Sequence, residues 1–395
     1  MRIQLAPGFK NTGKNTIGKD ILAGLILMAV SIPISMGYAQ IAGLPAVYGL
    51  YGSVFPILIF ALFSTSPQFI FGVDAAPAAL IGSALAGLNI TAGSTEALAA
   101  VPMLTFFVAL WLLIFSLLKA GKLVNYISAP VMGGFITGIC TTIILMQVPK
   151  LMGGTAGVGE LPELIEHIAG TVSTINVPSV VLGLIALAIL LIAKRVVPKF
   201  PMAVLLMAAG AVMTKFLPVE QWGVKTLDAV ETGMPRWSVP SFTAVSLKEA
   251  VTISLSVAVV IMAETLLAEN NFANKNGYRL DDNQEILAFS MGNFLAAFTG
   301  CCPINGSVSR TAMGEQYQAK TQLTGIVAGL SMIVLLLVGT GFIGYLPVPI
   351  LTAIVISALL GATEFHLAAR LWRVSRTEFF IFMGAFFGVL MLGTI

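Results

Sequence analysis

Runs of apolar residues separated by short polar breaks set the pattern of this chain from Ile21 onward. ILAGLILMAVSIPISMGYAQIAG, from Ile21, and VPMLTFFVALWLLIFSLL, from Val101, reach the roughly 20 residues that carry a helix across about 30 Å of hydrocarbon. The pattern predicts thirteen membrane segments, near 20–42, 47–63, 75–90, 100–119, 127–149, 178–194, 201–217, 247–268, 284–300, 308–318, 323–344, 348–368 and 377–395. A polar stretch, 218–246, divides the seventh from the eighth. Helices are the expected spanning elements, because lipid offers backbone N–H and C=O groups no partner. The fold class is therefore an all-α polytopic membrane protein. The first 19 residues are basic and weakly apolar, and the run after them is too long for a signal-peptide core, so it is expected to stay as the first span.

Composition agrees: 57% of residues are hydrophobic, 10% are charged and the mean hydropathy is +0.95. A soluble domain carries about 25% charged residues. Cys140, Cys301 and Cys302 lie in apolar context, with neither a disulfide framework nor zinc spacing. His167 and His366 are the only histidines, so a metal site or a Ser-His-Asp triad has no residues to work with. No cofactor is expected.

Charge tests the topology. With the N-terminus inside and every segment crossing, the inside stretches hold fifteen of the Lys and Arg residues. The outside holds five, Lys150, Lys215, Lys225, Arg236 and Lys248, and Arg310 falls within the membrane. This obeys the positive-inside rule. The net charge of +3 then reflects topology and is no evidence for nucleic acid.

Two segments are odd in matching ways. The third is short and follows QFIFGVDAAP, a β-like stretch broken by Gly72 and Pro77; the tenth is short, polar and follows CCPINGS, broken by Pro303 and Gly306. In two halves of seven these are the third segment of each half, and an odd repeat length inverts the second half. Paired interrupted segments of this kind point to a transporter's midplane binding site. The chain ends after a thirteenth segment, one short of symmetry. Either the natural chain is expected to continue, or the chain given is a shortened one.

Several residues can carry chemistry at such a site. A charge at mid-membrane, as at Arg310, costs about 2.5–3.5 kcal/mol on insertion scales. Two half-helices meeting at their N-termini present free N–H groups and positive dipole ends that suit an anion, and a guanidinium adds forked donors. Ser309 is placed as an N-cap, and Gly306, Ser307 and Ser309 leave the backbone open. The alternative is an arginine that pairs with an internal acid and holds the fold; spacing leaves the two balanced. Glu264, in IMAETLLAEN, is a candidate proton-coupling group, against a salt bridge to Arg310 or a water-facing helix end. Asp74 is either an N-cap or a partner of Arg310. Tyr38, one turn beyond Pro33, is either a cavity wall or packing. GFITG (Gly134–Gly138) and GIVAG (Gly325–Gly329) are close-packing patterns.

Taken together, IPISMGYAQIAGLPAVYGLYGSVFPILIFALFSTSPQ, GYRLDDNQEILAFSMGN and NGSVSRT followed by KTQLTGIVAGL resemble the SulP family of sulfate permeases and anion exchangers. The resemblance runs collinearly from about residue 18 to the end. Ile34, Ala46 and Asp74 depart from the family pattern. The resemblance implies a 7+7 inverted-repeat fold, with two half-helices preceded by short strands. It implies a cytoplasmic segment 1–19, a core domain (20–120 and 247–346), a gate domain (121–217 and 347–395) and an extracytoplasmic loop, 218–246. It also implies an anion between the N-termini of the third and tenth helices, lined by Tyr38, Ala75, Ala76, Ser309 and Arg310, with Glu264 as the helix-8 acid linked to proton symport. Asp74 is the second candidate for proton coupling. A homodimer embedded in lipid and working by alternating access is expected, as is a bacterial cytoplasmic membrane with the N-terminus in the cytoplasm.

The leading expectation is thus a proton-coupled secondary transporter of sulfate, bicarbonate, chloride or a dicarboxylate. A sodium-coupled symporter and an uncoupled exchanger or channel on the same scaffold stand beside it. A nucleobase transporter would place acidic or amide groups where this tenth helix opens with Ser-Arg, and a membrane enzyme would need a convergent catalytic set.

Overall fold

A computed structural model of the protein describes residues 4–10, 12–122, 128–157, 161–198, 200–227, 229 and 232–392. The chain forms α1 (Lys14–Ile41), α2 (Val47–Tyr51), α3 (Phe55–Phe63), the strand β1 (Phe71–Gly72), α4 (Ala75–Gly87), α5 (Thr95–Leu117), α6 (Ala129–Leu151), α7 (Leu161–Val172), α8 (Val177–Val196) and α9 (Met202–Phe216). There follow α10 (Leu247–Asn276), α11 (Asp282–Phe298), the strand β2 (Asn305–Gly306), α12 (Val308–Gln316), α13 (Leu323–Val338), α14 (Val348–Ala362), α15 (Phe365–Val374) and α16 (Arg376–Leu392). Among them α1, α5, α6, α8 and α10 are each long and apolar enough to cross a membrane.

Helix covers every segment that the apolar pattern predicts, with two differences. The second is split into α2 and α3 around Gly52. The twelfth ends at Ala362, because Thr363 is extended and the Glu364 N–H turns aside to donate to Thr137 Oγ1 (2.9 Å). α7 and α15 were not expected as separate helices. Each has apolar residues on one face only and is shorter than a span, so hydropathy alone passes over it.

The chain divides into two compact units. The first comprises Met1–Ser128 and Met234–Val334. In it α5 lies against α11 and α10, and α3 against α11. Lipid tails are as apolar as these side chains, so close packing and hydrogen bonds hold the helices together. Trp111 Nε1 donates to Val251 O (3.1 Å), Ser290 Oγ to Ala109 O (2.8 Å) and Thr105 Oγ1 to Cys301 O (3.0 Å). The rings of Phe60, Phe71 and Phe289 stack, with Phe71 4.7 Å from Phe60 and 5.4 Å from Phe289, which anchors β1 in the core. Asp20 is fully buried on α1. It accepts from Lys320 N (2.6 Å), Thr321 N (3.2 Å), Thr321 Oγ1 (2.7 Å) and Thr324 Oγ1 (3.2 Å), so a satisfied carboxylate fastens α1 to the approach of α13. Within GIVAG, Gly329 presses on Leu58 and the Val54 carbonyl.

The second unit comprises Ala129–Gly233 and Leu335–Thr394. Here α6 packs on α16, and α14 on α8 and α6. The GFITG pattern makes this contact: Gly134 lies on the Phe382 carbonyl and Ala385, Gly138 on the Phe386 carbonyl and Val389. A side chain at either glycine would force the helices apart. Lys194 Nζ donates to Ser357 O (2.5 Å), tying the end of α8 to α14.

Candidate functional site

The two interrupted segments meet inside the first unit. β1 and β2 pair antiparallel, with Phe71 opposite Gly306 and Gly72 opposite Asn305. Ser307 N donates to Ile70 O (2.8 Å), and Ile70 N to Thr311 Oγ1 (3.0 Å). Broken backbone is tolerated at membrane depth only where its polar groups find partners, and each segment supplies the other's. Gly306 is required by space, since a Cβ there would run into the Phe69 ring and the Thr265 methyl.

Each strand leads into a half-helix. At α4 the N-cap is Asp74, whose Oδ1 accepts from Ala75 N (2.7 Å). Pro77, third in that helix, has no N–H to leave unsatisfied. Ala75 and Ala76 are buried, 7% and 4% exposed, and put no bulk in front of the helix end. At α12 the cap differs from expectation: it is Ser307, and Ser309 is the second helical residue. The bond to Ile70 holds Ser307 extended (φ −108°, ψ 107°), so the turn into helix comes at Val308. The Ser307 side chain makes no capping bond, and its Oγ lies 3.4 Å from Ser309 Oγ. By helix geometry the N–H groups of Val308, Ser309 and Arg310 have no intrahelical acceptor. Val308 is exposed and Ser309 half-buried, so this end opens onto accessible space.

Arg310 is 1% exposed. Its Nη2 donates to Val73 O (2.6 Å) and lies 3.6 Å from Asp74 Oδ2. Nε and Nη1 are buried with no hydrogen-bond partner among the described residues. One edge of the guanidinium thus props β1 and pairs with Asp74, and the rest makes no hydrogen bond among the described residues. A Cβ at Gly72 would stand 3.1 Å from Nη1, so glycine there leaves the guanidinium its place.

Glu264, half-buried on α10, reaches the same strand pair. Asn305 Nδ2 donates to Glu264 Oε2 (2.6 Å), and Asn305 Oδ1 accepts from the Thr265 hydroxyl and from Gly306 N (2.7 Å). Gly306 N also donates to Thr265 Oγ1 (3.1 Å). A change of proton or charge at Glu264 is thus one side chain away from β2 and the start of α12. Tyr38 is buried on α1, a helix that packs on α4 and α12. The structure brings Asp74, Ala75, Ser309 and Arg310 to one place and links Glu264 to it. Thr265, Asn305 and Gly72 were missed as parts of this arrangement. A polar residue beside Glu264 and another opening NGSVSRT were the signals, but 40 residues separate them.

These observations define a class: a polytopic helical membrane protein whose two broken segments pair as strands and each open into a half-helix. Solved structures that share its fold include SLC26A9 and the transmembrane domain of BicA. SLC26A9 superposes with a TM-score of 0.88 at 22% identity, over 98% of this chain and 64% of that one. The transmembrane domain of BicA, a cyanobacterium bicarbonate transporter, does so with a TM-score of 0.86 at 18% identity, over 97% of each. This is the 7+7 inverted-repeat fold expected from the sequence. A family model for the sulfate permease family matches residues 17–385, and the chain belongs to that family. Similar proteins include sulfate transporter 2.1 of Arabidopsis thaliana, 32% identical over 387 residues (94% of this chain, 57% of the relative). A probable sulfate transporter of Mycobacterium tuberculosis is 28% identical over 392 residues (98% of this chain, 70% of the relative). The chain spans somewhat over half the length of the Arabidopsis relative.

Proposed function

We propose that this protein is a secondary active transporter of a small anion, bound where the N-termini of α4 and α12 face Arg310. One observation carries the reading: Arg310 is buried with Nε and Nη1 unspent, next to free helix N–H groups. Buried donors without acceptors are costly, and an anion supplies the acceptors that Asp74, paired at Nη2 alone, does not. Ser309 and Ala76 offer backbone N–H groups, Tyr38 and Ala75 form walls, and Asp74 holds the guanidinium when the anion is absent. Sulfate, bicarbonate, chloride and small dicarboxylates all suit this chemistry, and the relatives' names favour sulfate or bicarbonate.

The bond from Asn305 supports proton coupling through Glu264: a neutral Glu264 accepts it more weakly, loosening β2 and the start of α12. In this reading the first unit has the role of core and the second that of gate, alternating access carries the anion across, and the protein works as a homodimer. The N-terminus lies in the cytoplasm and the membrane is the cytoplasmic membrane of a bacterium.

The test is uptake into proteoliposomes of the four anions at two pH values. Arg310→Ala should abolish uptake of the cognate anion, and Glu264→Gln should remove the response to a pH gradient. Unchanged uptake by the arginine variant sinks the site. A gradient response surviving in the glutamine variant moves the proton elsewhere, and loss of uptake when choline replaces external sodium makes sodium the coupling ion.

A further inference from the structure

The GYRLDDNQE stretch, which carried no chemistry as sequence, closes over a second acidic arrangement in the first unit. Glu285, in the first turn of α11, is fully buried and well satisfied. It accepts from Ser64 Oγ (2.8 Å) and from both the N–H and the hydroxyl of Thr65, in the turn that runs from α3 to β1. Across from it on α10 is Glu269, also fully buried; its neighbour Asn270 donates through Nδ2 to Asp282 (3.4 Å), in the same first turn of α11 as Glu285, which puts the Glu269 carboxyl within reach of Glu285. Among the described residues no donor reaches either oxygen of Glu269. Among the described residues neither carboxyl has an ion-pair partner. An ionised Glu269 would be a buried charge beside a like charge with nothing to compensate it. A proton on Glu269, donated to Glu285, removes the charge and provides the absent hydrogen bond at once.

Among the described residues, the nearby cations are not paired with either carboxyl. On α10, Lys275 is spent on Glu315 of α12 (2.6 Å), and Asn270 donates to Asp282 of α11. In the loop 277–281, Tyr278 bonds Ser66 Oγ (3.2 Å), and burial pushes its hydroxyl well above the usual range, so it stays neutral. Asp281 caps α11. A cavity of about 380 Å³, roomy enough for water, is lined by Lys10, Thr65, Tyr278, Arg279 and Asp281. Thr65 thus touches both the cavity and Glu285.

We propose that Glu269 and Glu285 form a proton-binding site, a carboxyl pair that holds one shared proton at neutral pH and exchanges it with water in the cavity through the Thr65 hydroxyl. The pair clamps α10, α11 and the turn that leads to β1, and it is separate from Glu264, on whose role it does not rest. Infrared spectroscopy of the purified protein reads it directly. Wild type should show a protonated-carboxyl C=O band at neutral pH that shifts in D2O and fades as pH rises. Glu269→Gln, whose amide can still donate to Glu285, should lose that band and keep the fold. Glu264→Gln should keep the band, which separates this site from the coupling group. Thr65→Val should slow the D2O shift several-fold. A band undiminished in Glu269→Gln overturns the proposal. Should that variant not fold, wild type decides alone: no protonated carboxyl at neutral pH overturns it as well.

Discussion

Replacing Arg310 by lysine keeps the charge and removes the fork, which isolates what the guanidinium contributes. In the structure Nη2 is committed to Val73 O at 2.6 Å and stands 3.6 Å from Asp74 Oδ2, while Nε and Nη1 have no partner. A lysine brings one nitrogen to a place where the arginine brings three. If that nitrogen takes the Val73 carbonyl, no side-chain donor is left for the anion; if it turns to the anion, the buried carbonyl is orphaned. A hydrogen bond to a charged group contributes about 1.5–3 kcal/mol, so one lost donor weakens binding roughly 10- to 150-fold. Calorimetric titration of the cognate anion into Arg310→Lys and wild type, at matched ionic strength, measures this. A Kd within twofold of wild type, in a variant that stays folded, refutes the idea that the free edge of Arg310 binds the anion; charge alone would then suffice.

Other outcomes follow from the same geometry. Gly72→Ala puts a methyl 3.1 Å from Nη1 and should raise KM several-fold with little change in thermal stability, as read by uptake and Tm together. Asp74→Asn keeps an N-cap side chain and removes the acid beside Arg310, so the anion should bind more tightly in the same calorimetric assay. Asn305→Ala strips partners from Glu264 and Thr265 and should cost about 1–3 kcal/mol, seen as a lower Tm. Gly138→Leu drives a side chain into Phe386 and Val389 and should destabilise the second unit by about 1–3 kcal/mol, measured by thermal unfolding in detergent.

Sequence reached furthest where the governing physics is local. The membrane segments were legible because about twenty consecutive apolar residues are a property of one stretch of chain. The breaks near Gly72, and near Pro303 and Gly306, were legible because such residues interrupt a helix, whereas Pro77 falls inside the first turn of α4, where it needs no N–H. Arg310 stood out against its apolar surroundings. The cap of α12 was misplaced by two residues, since the bond from Ser307 to Ile70 that delays the helix joins positions far apart in the chain. The link from Glu264 through Asn305 and the pairing of Glu269 with Glu285 were hidden for the same reason. α15 was absorbed into its neighbour, because its apolar face alternates with Arg370 and Arg373 and no hydropathy average separates it.

Anomalous diffraction locates the bound anion. Crystals grown with selenate or bromide, whichever the protein takes up in liposomes, should show an anomalous peak within hydrogen-bond distance of the Ser309 and Arg310 backbone N–H groups and of the Arg310 guanidinium. A transported anion whose peak lies elsewhere, with none at the N-termini of α4 and α12, would show that Arg310 and the half-helix ends do not bind it.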